Sequence, residues 1–299
     1  MPRDLPAIGD DRPFQRLRSS LRGTRLHHLY RRIRARNGAR REAAMLASVQ
    51  TYCQFVGHSR SGHSIVGALL DAHPQIAMSD EVDALRDLRL GFTAQELLWL
   101  SLDVTRDQAR RQRRKRGRGG AVYSYFVPGQ WQGRTQQLRV VGDSTAGEAL
   151  HWLAEDPDLL ERLRSLMAPR RLRFILAMRN PFDNIATMML RTGRTFDVAT
   201  ERYFANWQLL EALRERLDPN ELATVRHEDL VISPREELAR LCRFLGVDPA
   251  QDYLDACASI LFPSPSRTRG SVTWTDAQRQ RVEREISAFD ALRGYSFEA

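Results

Sequence analysis

The segment Tyr52–Ser64 constrains the fold more than any other part of the chain. Tyr52–Val56 reads as a buried strand, a loop with Gly57 and Gly62 follows, and a helical pattern starts at Ser64. Glycines let a backbone approach a ligand with no Cβ in the way. Such a loop presents amide N–H groups to a bound anion, and the N-terminus of the next helix adds partial positive charge. The spacing is that of Gly-x4-Gly-Lys-Ser, with His63 where the lysine would stand. An ATP-driven kinase needs that lysine on the transferred phosphate. Its absence speaks against phosphoryl transfer, although Arg60 brings a cation three residues earlier. A glycine-rich turn with no ligand has the same composition.

Further along, short β-type runs alternate with longer helical ones. Strands are expected at Tyr52–Val56, Leu138–Val141, Leu172–Met178 and Leu222–Arg226. Helices are expected at Ser64–Ala72, Thr93–Leu102, Leu159–Leu166, Asn184–Arg191, Ala199–Leu217, Pro234–Phe244 and Thr275–Phe289. Strands separated by helices predict an α/β fold with a mostly parallel sheet covered on both faces. Ligands then sit at the carboxyl ends of the strands. With 42% hydrophobic and 28% charged residues, the chain reads as globular rather than disordered, collagen-like or coiled coil. It has no apolar run long enough for a membrane span and no secretory h-region. Three scattered cysteines suit neither a disulfide framework nor a zinc site, which points to a reducing cytoplasm.

The net charge of +9 is concentrated in two places. Residues 1–42 carry twelve arginines against four acids, and residues 106–118 carry seven arginines and Lys115 against Asp107. The rest of the chain is mildly acidic. Lys115 is the only lysine, so any site that ordinarily uses lysine must use Arg or His or do without. Residues 1–45 read as a basic arm and 46–299 as the catalytic-type domain. In the arm, Phe14, Leu17, Leu21, Leu29 and Ile33 recur at roughly helical spacing. Such a helix can lie peripherally on an anionic membrane; the expectation is that its apolar stripe packs on the body. The run Arg106–Arg118, with Gly117, Gly119 and Gly120, reads as a flexible loop, either solvated or attracting an anionic substrate. The 106–118 run has no interleaved aromatics and the arm has only Phe14 and Tyr30, which counts against a single-strand nucleic-acid platform.

A second anion site is expected where Leu172–Met178 ends on Arg179. Pro181 makes the turn, a helix begins near Asp183, and Thr187 lies one turn inside it. A strand-end arginine and a hydroxyl on the next helix can hold a phosphate from two directions. Arg179 paired simply with Asp183 is the plainer alternative.

Together these segments resemble the sulfotransferases that use 3′-phosphoadenosine 5′-phosphosulfate (PAPS). Gly57–Ser64 is similar to their 5′-phosphosulfate loop, and Arg179-Asn-Pro-Phe-Asp with Thr187 to their 3′-phosphate motif. Val225-Arg-His-Glu-Asp-Leu230, Pro234 and Phe244-Leu-Gly246 resemble a third segment. Ser266-Arg-Thr-Arg269 followed by Trp274 resembles their closing basic loop. The resemblance spans about residues 50–290. It implies a P-loop-type three-layer α/β fold and sulfuryl transfer from PAPS to a hydroxyl or amine of a glycan, lipid or small molecule, without a metal. It assigns cofactor binding to Arg60, Ser61, Gly62, His63, Ser64, Arg179, Thr187, Arg267 and Arg269. Departures at His63, Ser144 and His227 leave open a non-catalytic nucleotide-binding protein, with a P-loop kinase as the other alternative.

In-line attack needs a base. By the His73-Pro74 landmark, Glu81 matches the glutamate base of several relatives, with Asp80 and Asp83 as alternatives. His63 is the rival, as base, acid or loop donor. Asp143 and Ser144 either line the acceptor site or cap the next helix. Trp99, Tyr123, Tyr125, Phe126 and Trp131 suit an acceptor surface and a small core equally.

Overall fold

Strand β1 (Thr51–Gly57) is buried along its whole length, because it lies in the middle of a parallel sheet. In the computed structural model, which describes residues 25–116 and 122–298, the order is β2-β5-β1-β6-β7. Here β2 is Ile76–Ser79, β5 Val140–Asp143, β6 Arg171–Met178 and β7 Leu222–Arg226. Every pairing in this sheet is parallel. Strand side chains alternate between faces, and the two cores follow. Tyr52, Val56, Phe174 and Leu176 face one apolar cluster, Cys53, Phe55, Ile175 and Ala177 the other.

Helices cover both faces, as a parallel sheet requires. The first cluster takes in Leu150 and Leu153 of α6 (Gly147–Glu155), Phe182 and Ile185 of α8 (Pro181–Thr192) and Trp207 of α9 (Phe196–Arg214). The second takes in α3 (His63–Leu70), α11 (Pro234–Leu245) and α12 (Gln251–Ser259). This is the P-loop-type three-layer α/β fold. The chain leaves β1 toward β2 on one side and later crosses to β6 on the other. The carboxyl end of β1 is therefore the switch point where such sheets bind ligands.

Two expectations about the basic segments are corrected. Most of the 106–118 run is ordered structure, not a solvated loop. Arg106 ends up on α5 (Ala94–Arg110), gripping Glu42 through both amino groups at 2.8 Å. Arg113 is 5% exposed and pairs with buried Asp71, and β3 (Arg114–Arg116) forms a hairpin with β4 (Val122–Ser124). Gly117, Arg118, Gly119 and Gly120 lie outside the described residues. In the arm, α1 (Arg25–Arg41) packs on α5, but not through its apolar stripe. Ala35 and Ala39 are buried, a Cβ on Gly38 would overlap the Trp99 ring, and Arg31 and Arg34 reach Asp87 and Asp103. Leu29 and Ile33, with Leu26 and Tyr30, face solvent. Small residues allow the close approach, and arginine stems reach acids that leucines cannot engage. Phe14, Leu17 and Leu21 lie outside the described residues. Among those described, no helix is long and apolar enough to cross a membrane.

Candidate active site

A cavity of about 450 Å³ opens at the carboxyl ends of β1 and β6. Its wall brings together Arg60, Gly62, His63, Ser64, Glu81, Arg179 and Thr187. These residues come from three separate stretches of chain. β1 and β6 are hydrogen-bonded neighbours, in register from Thr51↔Arg171 to Gly57↔Ala177, so the loops leaving them emerge side by side.

The 57–64 loop turns through three left-handed residues, Gly57 (φ 125°), Arg60 (φ 71°) and Gly62 (φ 96°). A Cβ on Gly62 would sit 2.9 Å from His227 Nδ1, so glycine is required there by both torsion and space. His58 anchors the loop from beneath, stacked on Tyr203 of α9 with ring centroids 4.2 Å apart. The Ser61 hydroxyl donates to the His58 carbonyl at 2.8 Å. Ser61 is buried and its side chain is off the cavity wall, bracing the loop from inside. Arg60 is exposed at the rim; in the first turn of α3 the Ile65 N–H bonds the Gly62 carbonyl at 3.1 Å, which leaves the His63 and Ser64 amides with no intrahelical acceptor.

His63 occupies the first helical position. Its Nδ1 lies 2.9 Å from the Ser144 carbonyl. A carbonyl can only accept, so Nδ1 carries the proton and Nε2 is left as an acceptor. Burial pushes the imidazole below the usual histidine range, against the opposing pull of Asp80 and Glu81. The ring is thus neutral. In this state it can take a proton but cannot supply the positive charge that a lysine would.

On the β6 side, Arg179 Nη2 donates to the Ser266 carbonyl at 2.6 Å and to Thr268 Oγ1 at 2.8 Å. Nη1 reaches Thr187 Oγ1 at 3.4 Å, and Nε is buried with no partner. Asp183 does not pair directly with Arg179; its carboxylate takes the backbone N–H and Nη1 of Arg269 at 2.8 and 2.7 Å. Arg269 is 4% exposed and off the cavity wall, and Arg267 is exposed and also off it. The closing-loop arginines are therefore not on the wall with Arg179; Ser266 is.

The three candidate acids have different tasks. Asp80 is buried, accepting from Ser64 Oγ at 3.1 Å and Ser144 Oγ at 3.2 Å, and its other oxygen pairs with Lys115. Burial pushes its carboxyl up, but the Lys115 ammonium, together with other nearby charges including the Arg113 guanidinium, holds it below the ordinary range. Asp83 accepts from Trp152 Nε1 at 2.8 Å and sits off the wall. Glu81 is exposed on the wall, and its backbone is left-handed at φ 62°. Strained torsions in non-glycine residues persist where surrounding contacts enforce them. Here Asp143 does so, accepting from the amides of Val82 (3.2 Å) and Ala84 (2.9 Å). Burial pushes the Asp143 carboxyl up to about 6, even with these donors. Asp143 and Ser144 thus orient their neighbours and are off the cavity wall.

Sequence reasoning missed several wall residues. Arg191 lies four residues after Thr187 on α8, hence on the same helix face; that spacing was a usable signal. Lys115 and His227 stand out in the sequence, as the one lysine of a basic run and as a departure within the third family-like segment, but not as site residues. His227 has a buried, unpartnered Nδ1, and burial pushes its imidazole down to about 4. Glu228 grips the Asn180 amide at 2.9 Å and the Tyr295 hydroxyl at 3.0 Å, tying the 225–230 segment to the Arg179 turn. Of the insertion aromatics, Tyr123 and Tyr125 line the cavity; Trp99, Phe126 and Trp131 do not. Among the described residues, no group of three or more His, Cys, Asp or Glu is arranged to hold a metal ion.

A sulfotransferase family model matches residues 55–252, and the chain belongs to that family. Similar solved structures include the sulfotransferase domain of the olefin synthase of Synechococcus PCC 7002, 17% identical with a TM-score of 0.50, covering 81% of this chain and 96% of that one. The sulfotransferase domain of the curacin biosynthetic pathway is 16% identical with a TM-score of 0.47, covering 80% and 98%. A mouse sulfotransferase solved with PAP is 12% identical with a TM-score of 0.45, covering 84% and 90%. At such identities the first speaks for the fold alone. Among curated proteins, none matches the sequence significantly.

Proposed function

We propose that this sulfotransferase moves the sulfuryl group of PAPS to an acceptor hydroxyl or amine. The observation that carries the reading is one cavity with two anion cradles on adjacent strands. The glycine loop and the α3 N-terminus form one, and Arg179 with Thr187 forms the other. A donor with separate 5′ and 3′ phosphate groups needs both, whereas ATP needs only the first. The buried, unpartnered Nε of Arg179 supports the fit, since a buried guanidinium N–H without an acceptor costs stability until an anion meets it.

PAPS, when bound, supplies an activated sulfuryl group. The protein's own groups supply the rest. Backbone amides of the 57–64 loop, those of His63 and Ser64 among them, and Arg60 would meet the 5′ end, where negative charge grows as the group leaves, while the Ser64 hydroxyl is held on Asp80. Preorganised donors of this kind lower the barrier without reorganising during the reaction. Glu81 takes the acceptor proton: of the three neighbouring acids it alone lines the cavity, and no donor among the described residues holds its carboxylate. His63 Nε2 is the second available base.

Titration calorimetry with 3′-phosphoadenosine 5′-phosphate (PAP), ADP and ATP·Mg²⁺ tests the reading. PAP is expected to bind at least tenfold more tightly than the other two. A preference for ATP·Mg²⁺ would revive a kinase, and no binding at all would favour a non-catalytic scaffold.

A further inference from the structure

Helix α1 is bound to the body by one face only. Ala35 and Ala39 are buried, and Gly38 lies against the Trp99 ring. Arginines tie down its edges. Arg31 donates to the Asp87 carboxylate at 2.9 Å and to the Val82 carbonyl at 3.1 Å, and Arg34 pairs with Asp103 at 2.8 Å. Val82 is one residue past Glu81, so the helix is fixed to the turn that carries a wall residue of the cavity. The opposite face has no such cover. Leu26, Leu29, Tyr30 and Ile33 stand at i, i+3, i+4 and i+7, which puts them on one side of a helix. They are 73%, 57%, 63% and 52% exposed. The exposed Arg36 and Arg40 continue the same side toward the helix end. Four of the nine large apolar side chains exposed among the described residues are thus gathered on one helix face. Scattered singly, such residues need no explanation, but a contiguous row marks an interaction surface.

We propose that the outer face of α1 docks on an anionic lipid bilayer. Leu26, Leu29, Tyr30 and Ile33 enter the boundary between headgroups and acyl chains, and the arginines beside them meet lipid phosphates. Charge complementarity selects this occupant. The 17 residues of α1 hold seven arginines and no Asp or Glu. Residues 1–42 carry twelve arginines against four acids, which is nearly all of the net charge of +9. The positive end of the molecule therefore coincides with its apolar row, the combination by which a helix lies in an anionic interface. A second copy of the chain would bring two acid-free, arginine-rich helices together, and like charges at close range repel. A nucleic acid would engage the arginines but leave Leu26, Leu29 and Ile33 in water. Arginine suits the lipid site because its planar fork meets phosphate oxygens two at a time. The helix is already held in shape by its packing on α5, so docking carries little ordering cost. The proposal does not depend on the PAPS reading.

The test uses the full chain. Cys53, Cys242 and Cys257 are all buried, so an environment-sensitive fluorophore on the Ile33→Cys variant reports from the outer face of α1. It is titrated with vesicles of equal parts phosphatidylcholine and phosphatidylglycerol, and with vesicles of phosphatidylcholine alone. The emission is expected to move to the blue with the mixed vesicles, which bind at least tenfold more tightly than the neutral ones and release the protein at high salt. In vesicle sedimentation of unlabelled protein, the double variant Leu29→Gln, Ile33→Gln is expected to bind at least tenfold more weakly, and so is Arg36→Gln, Arg40→Gln. Both keep the wild-type circular dichroism spectrum and whatever PAP affinity the wild type has. If the Leu29, Ile33 variant binds mixed vesicles as tightly as wild type, this face is not the contact and the proposal fails. Blue emission before any lipid is added overturns it as well: if it grows with protein concentration a second copy covers the face, and if it does not the chain covers the face itself. A larger shift with single-stranded RNA than with mixed vesicles would assign the face to nucleic acid instead.

Discussion

Gly62→Ala probes the loop at its tightest point. Gly62 sits at φ 96°, where an L side chain clashes with its own backbone; that costs about 1–2 kcal/mol. The new Cβ would also stand 2.9 Å from His227 Nδ1. His227 belongs to α10 (His227–Ile232), which Glu228 ties to the Arg179 turn, so the ring has little room to retreat. Overpacking of this kind costs about 1–3 kcal/mol. The sum, about 2–5 kcal/mol, is a large share of the stability of a typical domain. Urea unfolding of wild type, Gly62→Ala, His227→Ala and the double variant separates the two contributions, since a double-mutant cycle isolates the contact. In the His227→Ala background, Gly62→Ala should cost only the torsional part. PAP affinity should fall at least tenfold in both Gly62 variants, because the loop amides no longer converge. If Gly62→Ala is as stable as wild type, or costs the same with and without His227, the account of the loop is wrong.

Four further outcomes are expected. Arg179→Ala should weaken PAP at least a hundredfold in calorimetry, about 3 kcal/mol, as expected for removing a buried charged donor from its anion; wild-type affinity would remove it from the site. Glu81→Gln should leave PAP affinity unchanged and cut PAPS turnover with a screened acceptor by about 10²–10⁴-fold; an unchanged rate would move the base to His63. Arg269→Ala should cost about 3–5 kcal/mol in urea unfolding, because it strands Asp183 in a pair whose side chains are 5% and 3% exposed, whereas exposed Arg267→Ala should change stability by less than about 0.5 kcal/mol. Burial pushes the His58 imidazole down to about 3. Because this folded-state value lies below the unfolded one of about 6.5, the unfolded chain takes up the proton first on acidification. Stability is therefore lost as pH falls from about 6.5 toward 3, by about 2 kcal/mol at pH 5 from this residue. Comparing urea unfolding at pH 7 and pH 5 should show that loss, and His58→Phe, which preserves the stack on Tyr203, should reduce it.

What could be read in the sequence were features made by contiguous residues. The strand–loop–helix at 52–64 and the strand-end arginine with Thr187 were both legible, as were four of the five strands of the main sheet. Strand β2 was not, because Ile76–Ser79 is four residues long and its neighbours give it no period. The arginine run was misread for a related reason. Charge along a chain looks solvated until the partners are known, and Glu42, Asp71 and Asp80 lie 64, 42 and 35 residues from Arg106, Arg113 and Lys115. Arg267 and Arg269 look equivalent in sequence, yet one is exposed and the other is buried on Asp183.

The sequence by itself determined the parallel α/β plan, the family and the two segments, 57–64 and Arg179 with Thr187, that line the cavity. Each is encoded in local spacing, which covalent geometry converts directly into strand ends and helix starts. Only the tertiary structure decided the state of the site. The proton on His63 is set by the Ser144 carbonyl, the freedom of Glu81 by the contacts that occupy Asp80 and Asp83, and the position of Lys115 by a buried pair in the hairpin. Those outcomes depend on which distant groups share a low-dielectric interior, and chain order does not specify that until the sheet has brought them together.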